Sequence, residues 1–90
     1  MLFMSIFTWE PEQRNEIIKR RMQGPALPEG VEAIGEWVEL GGGRSFRLID
    51  IPDAKLALAG ALPWTDIGYL EMIPVMDSEE AVKLAAQGQQ

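Results

Sequence analysis

The chain opens on a run that is apolar at both alternating sets of positions. Leu2, Met4 and Ile6 fall on one side, and Phe3 and Phe7 with Ser5 on the other. A run from Leu2 to Thr8 of this kind predicts a central strand covered on both faces. The period then changes. Pro11 suits a first helical position, where its missing N–H would have no partner anyway. Glu10 and Glu12 complement the positive end of a helix. The helix is expected to reach about Gln23, where Gly24-Pro25 stops it. Its apolar stripe is thin (Ile17, Ile18 and Met22), so it can cover a sheet but cannot lie at the centre of a fold.

Leu27-Pro28-Glu29-Gly30 reads as a turn. Val31–Leu40 and Arg44–Ile51 read as two strands joined by Gly41-Gly42-Gly43, a hairpin signal. A three-residue loop sets Leu40 opposite Arg44, Val38 opposite Phe46 and Trp37 opposite Arg47. A glycine bulge would shift that register by one and exchange the faces. Pro52 to about Leu62 predicts a second helix with Asp53 in its first turn. Pro63-Trp64-Thr65-Asp66 breaks it, with Asp66 expected to bond to backbone amides. Ile67–Val75 predicts a fourth strand. Pro74 cannot donate to a ladder, which marks this strand as an edge. Asp77 or Ser78 is the expected cap of a short third helix ending near Ala86, and Gly88-Gln89-Gln90 reads as a frayed end.

The order β-α-β-β-α-β with right-handed crossovers gives an α+β, ferredoxin-like sandwich with a short C-terminal helix, one domain over residues 1–90. Apolar purity assigns Leu2, Met4, Ile6, Ile34, Val38, Phe46, Leu48, Leu70 and Met72 to the face under the helices. The opposite face then holds Phe3, Ser5, Phe7, Trp37, Arg47, Ile49, Tyr69, Glu71 and Ile73. Two helices cover only one face, and the second is too apolar for water. A homodimer packed sheet to sheet into an α/β barrel is therefore expected, enclosing a cavity with a few polar groups.

Charge and composition narrow the functions. The 90 residues carry 14 acidic and 8 basic side chains, a net charge of −6, which disfavours nucleic acid and anionic membranes. The one basic cluster, Lys19-Arg20-Arg21 with Arg14 before it, reads as a solvated helix face. Without cysteine or histidine there are no disulfides, thiolate nucleophiles, imidazole bases or common transition-metal ligands. The carboxylates at Glu10/Glu12 and Asp77/Glu79/Glu80 do not match a calcium loop, so neither a metal nor a cofactor is expected. With no basic-then-apolar leader and no apolar run of about 18 residues, a cytoplasmic protein is expected.

Several segments in order carry a family resemblance: Met1-Leu2-Phe3-Met4, Leu27-Pro28-Glu29-Gly30-Val31, Trp37-Val38, Arg44-Ser45-Phe46-Arg47-Leu48, Trp64-Thr65-Asp66-Ile67 and Glu71-Met72-Ile73-Pro74-Val75. Together they resemble a family of short prokaryotic proteins, a domain of unknown function within the dimeric α/β-barrel superfamily. The chain departs from the family pattern at Arg44-Ser45-Phe46-Arg47, where Arg-Cys-Phe-Gln would stand, and Arg47 would make any pocket more basic. The resemblance implies a homodimer. Relatives by fold include cofactor-free oxygenases, lactone isomerases, haem-handling enzymes and effector-binding domains, of which the haem branch is ill suited to a chain without histidine.

The residues singled out for a ligand site are Trp37, Arg47, Tyr69, Glu71 and Phe7. Trp37 either fills space between two sheets or forms a stacking wall. A buried Arg47 needs a carboxylate partner, with Glu71 the internal candidate, or an anionic ligand. Tyr69 and Glu71 are the available proton donor and base. Arg44 reads as a solvated or rim charge. The reading favoured by the scarcity of catalytic side chains is a small-molecule-binding or accessory module for a small anionic or aromatic ligand. The alternative is a cofactor-independent enzyme, oxygenase- or isomerase-like, acting on a small acidic or aromatic metabolite.

Overall fold

The computed structural model describes residues 1–88. Its elements are β1 (Leu2–Thr8), a 3₁₀ turn (Pro11–Gln13), α1 (Arg14–Gln23), β2 (Glu32–Val38), β3 (Arg44–Asp50), α2 (Ala54–Ala61), β4 (Tyr69–Pro74) and α3 (Ser78–Gln87). The four strands form one antiparallel sheet in the order β2-β3-β1-β4. This is the ferredoxin-like α+β arrangement, with β1 inside the sheet and β4 at an edge, as Pro74 requires.

Local chemistry sets the helix starts. Pro11 opens the 3₁₀ turn that leads into α1. Asp53 lies outside α2 as its cap and accepts from the Lys55 amide at 2.7 Å. Asp77 caps α3, accepting from the amides of Glu79 at 2.9 Å and Glu80 at 3.4 Å. Two of the residues expected to fray, Gln89 and Gln90, lie outside the described residues.

The hairpin differs from the three-residue reading. The Glu39 amide donates to the Arg44 carbonyl at 2.9 Å, so the loop holds four residues, Leu40 to Gly43. Gly42 and Gly43 have φ of 82° and 87°, a region open to glycine without strain. Leu40 therefore sits fully exposed in the turn and not in the strand. The extra loop residue shifts β3 by one position against β2: Val38 faces Ser45, Trp37 faces Phe46 and Glu36 faces Arg47. A bulge between Ala33 and Gly35 then moves the first part of β2 again.

A shift of one residue exchanges the faces of a strand. Phe3, Ser5 and Phe7 of β1 pair with Ile49, Arg47 and Ser45 of β3, and this set lies under the helices. Leu2, Met4, Ile6, Phe46 and Leu48 lie on the open face, the reverse of the assignment by apolar purity. For β4 that assignment holds, with Leu70 and Met72 beneath the helices and Tyr69, Glu71 and Ile73 opposite. On β2 it holds for Val38 and Trp37.

The buried hydrophobic residues are Phe7, Ile49 and Ile51, all on the helix side. Phe7 lies near Trp9 and Trp64, with ring centroids at 5.7 and 6.0 Å. Arg20 fastens α1 to the segment after α2. Its Nη1 donates to the Pro63 carbonyl at 2.6 Å and to Asp66 Oδ1 at 2.7 Å. The side chain of Asp66 is thus held by an arginine and is not solely a cap for backbone amides. α3 is exposed along its whole length. The radius of gyration, 15.5 Å, exceeds the ~12 Å expected of a compact chain of this size.

Candidate functional site

The sheet register builds a polar rung between apolar ones on the helix side. Ser5 on β1 lies directly opposite Arg47 on β3, and Arg47 opposite Glu36 on β2. One rung beyond stand Leu70, Phe7, Ser45 and Val38. On the other side stand Phe3, Ile49 and Ala33. From above, α1 lowers Arg21 onto the same carboxylate. Arg47 Nε and Nη2 both reach Glu36 Oε2 at 2.5 Å. Arg21 Nη2 reaches Oε1 at 2.7 Å, and its Nη1 donates to Oε2 at 3.1 Å. Two guanidiniums on one carboxylate leave this cluster with one surplus positive charge inside a protein of net charge −6.

The helices stand off this face and leave a half-enclosed cavity of about 410 Å³. It runs from Trp9 and the Gly42-Gly43 turn at one end to Val31, Ile51 and Leu56 at the other. Phe7, Ile17, Trp64, Leu70 and Met72 form apolar walls, and Ser5, Ser45 and Arg47 are polar points in its floor. A second cavity of about 330 Å³ lies toward Pro25, Ala26 and Leu27. Arg21, Glu36 and Arg47 line both, so the ion cluster stands at their junction. The size and the few convergent polar groups fit a small-molecule site.

The five residues singled out in the sequence do not converge. Arg47 and Phe7 line the helix-side cavity. Trp37, Tyr69 and Glu71 lie on the open face, where Trp37 is 55% and Tyr69 64% exposed. Trp37 folds back over Gly35, where an added Cβ would stand 2.6 Å from the indole ring. Arg47 is paired with Glu36 and not with Glu71, because the two candidates point to opposite sides of the sheet. Glu36 was missed for the same reason. Only the four-residue loop brings it opposite Arg47. Ser45 and Arg47, where the chain departs from the Arg-Cys-Phe-Gln pattern, both line the cavity.

The basic cluster on α1 is not simply solvated, since Arg20 and Arg21 are both engaged across the fold. Arg44 pairs with Glu39 at 2.6 Å and lies 5.3 Å from the Phe46 ring centroid on the open face. The hydrogen bond from Arg20 holds the Asp66 carboxyl below its ordinary range, and the same bond raises the Arg20 guanidinium. Among the described residues no group of three metal-ligating side chains converges, and no helix is long and apolar enough to cross a membrane.

A family model described as "Domain of unknown function (DUF3303)" matches residues 1–89. No curated protein and no solved structure matches the chain.

Proposed function

We propose that this chain, which belongs to that domain family of unknown function, is a homodimeric small-molecule-binding or accessory module. The observation that carries the reading is the unlike treatment of the two sheet faces. One face roofs a cavity with α1 and α2. The other presents Leu2, Met4, Ile6, Phe46, Leu48 and Ile73 with no layer of its own chain upon it among the described residues. A contiguous apolar face of this kind marks an association surface, and a twofold axis closes it with a second copy of itself. Trp37 and Tyr69 flank that face on the two edge strands, aromatic residues of the type that anchor interfaces. Tyr69 and Glu71 stand on the far side of the sheet from the cavity, so no observation favours the enzyme alternative.

Sedimentation equilibrium at micromolar concentration tests the assembly. The expected mass is twice the 10.0 kDa protomer. Leu48→Lys, placed at the middle of the open face, should return the protomer with its circular dichroism unchanged. A single 10.0 kDa species for the wild type overturns the dimer.

A further inference from the structure

We infer that the cavity takes a small amphiphilic carboxylic acid, with Arg47 as the anchor for its carboxylate and Glu36 as the internal group that shares Arg47 with it. The inference rests on the proposed binding role and adds the ligand's chemistry. Arg47 directs Nε and Nη2 to Glu36, while its Nη1 has no protein partner among the described residues. A guanidinium offers donors on all three nitrogens and can serve two carboxylates at once. The Ser5 hydroxyl, directly across the strand pair, has no side-chain hydrogen bond among the described residues and supplies a second donor. The surplus charge of the Arg21–Glu36–Arg47 cluster favours an anion locally, while the net −6 of the chain gives no long-range attraction.

The rest of the cavity asks for an apolar body. Phe7, Leu70 and Met72 continue the floor away from Arg47, and Ile17 and Ala57 close over it. At ~30 Å³ for each atom of water size, 410 Å³ accommodates roughly a dozen non-hydrogen atoms. A medium-chain fatty acid or an arylalkanoic acid meets both requirements. A cationic amphiphile would meet Arg47 head on, and a neutral one would leave its Nη1 without a partner.

The test is isothermal titration of the purified full-length chain with octanoate and with 1-octanol, its neutral counterpart. Octanoate should bind the wild type about ten- to hundredfold more tightly than octanol, the range for hydrogen bonds to charged groups. Arg47→Met should abolish that preference while leaving octanol binding in place. Glu36→Gln, which frees Arg47 without removing it, should strengthen octanoate binding, a result that a purely structural ion pair would not give. Ala57→Phe should exclude both ligands by filling the cavity. Equal binding of octanoate and octanol, or weaker octanoate binding to Glu36→Gln, overturns the carboxylate assignment and leaves the binding role standing. Failure of both ligands to bind the wild type, or their binding unchanged to Ala57→Phe, overturns the cavity as a binding site.

Discussion

Gly68 lies where β4 begins beside the end of β1, and replacing it with alanine tests how tightly that corner is built. An ideal Cβ there would stand 2.6 Å from Phe7 Cε1, closer still to Phe7 Cζ, and 2.8 Å from the Thr8 carbonyl oxygen. The Phe7 ring borders the cavity and can shift, but the Thr8 oxygen cannot. The Phe7 ring is buried near Trp9 and Trp64, and the Thr8 oxygen belongs to the backbone of an inner strand. Added methyl groups in a filled site cost ~1–3 kcal/mol, and a backbone obstacle puts this one at the upper end, about 2–3 kcal/mol. A domain of this size has a net stability of roughly 5–13 kcal/mol, so the loss is a substantial fraction. It corresponds to a fall in Tm of roughly 8–24 °C. Urea unfolding followed by tryptophan fluorescence, both proteins at one concentration, measures it through the midpoint with the slope unchanged. A change below about 0.5 kcal/mol would refute the reasoning, because the backbone at Thr8 would then have yielded to the added methyl without cost.

Three further outcomes are expected. Trp37→Ala should weaken dimerisation by about 2 kcal/mol or more, roughly a thirtyfold rise in dissociation constant by analytical ultracentrifugation; a change under about 0.5 kcal/mol takes β2 out of the interface. Arg20 depresses the Asp66 carboxyl, so that contribution is present above the unfolded carboxylate value of ~3.9 and fades as pH falls through the lower folded value. The Tm gap between wild type and Asp66→Asn should thus hold at about pH 7 and narrow as pH falls below about 4, whereas a pH-independent gap contradicts the pairing. Asp77→Ala should lower far-UV helicity by unwinding the first turn of α3 while leaving the urea midpoint within about 0.5 kcal/mol; a large midpoint shift would mean that α3 is held against the protein's body.

The elements could be read from the chain more readily than their faces. Alternation and breakers located β1 to the residue, and Pro74 identified an edge. The side each strand presents depended on one loop residue. Leu40 is apolar and extends the pattern of β2, so periodicity places it in the strand, whereas the positive φ at Gly42 and Gly43 draws it into the turn. That single position turned over β3, and β1 followed through pairing. Apolar purity then misled, because the purer set of side chains lies on the open face and the helix side tolerates Arg47. The reason it does so is Glu36, which the four-residue loop sets opposite Arg47 and which Arg21 reaches from α1. Of the candidate site, Arg47 was visible as a charge on an apolar strand and Phe7 as an apolar wall. Glu36 and Ser5 gained meaning only from cross-strand register.

The two outer strands also bear on how copies of this chain can meet. A four-stranded sheet with free margins invites ribbon growth, each new chain adding its strand to the last. Here β4 ends in Pro74, which has no amide hydrogen to offer a fifth strand, and β2 is interrupted at the Ala33/Gly35 bulge and studded with Glu32 and Glu36. Both margins resist extension. In the proposed homodimer the copies meet across the flat of the sheet, where the contact saturates at two partners. Its self-association should end in a discrete particle and not in a filament.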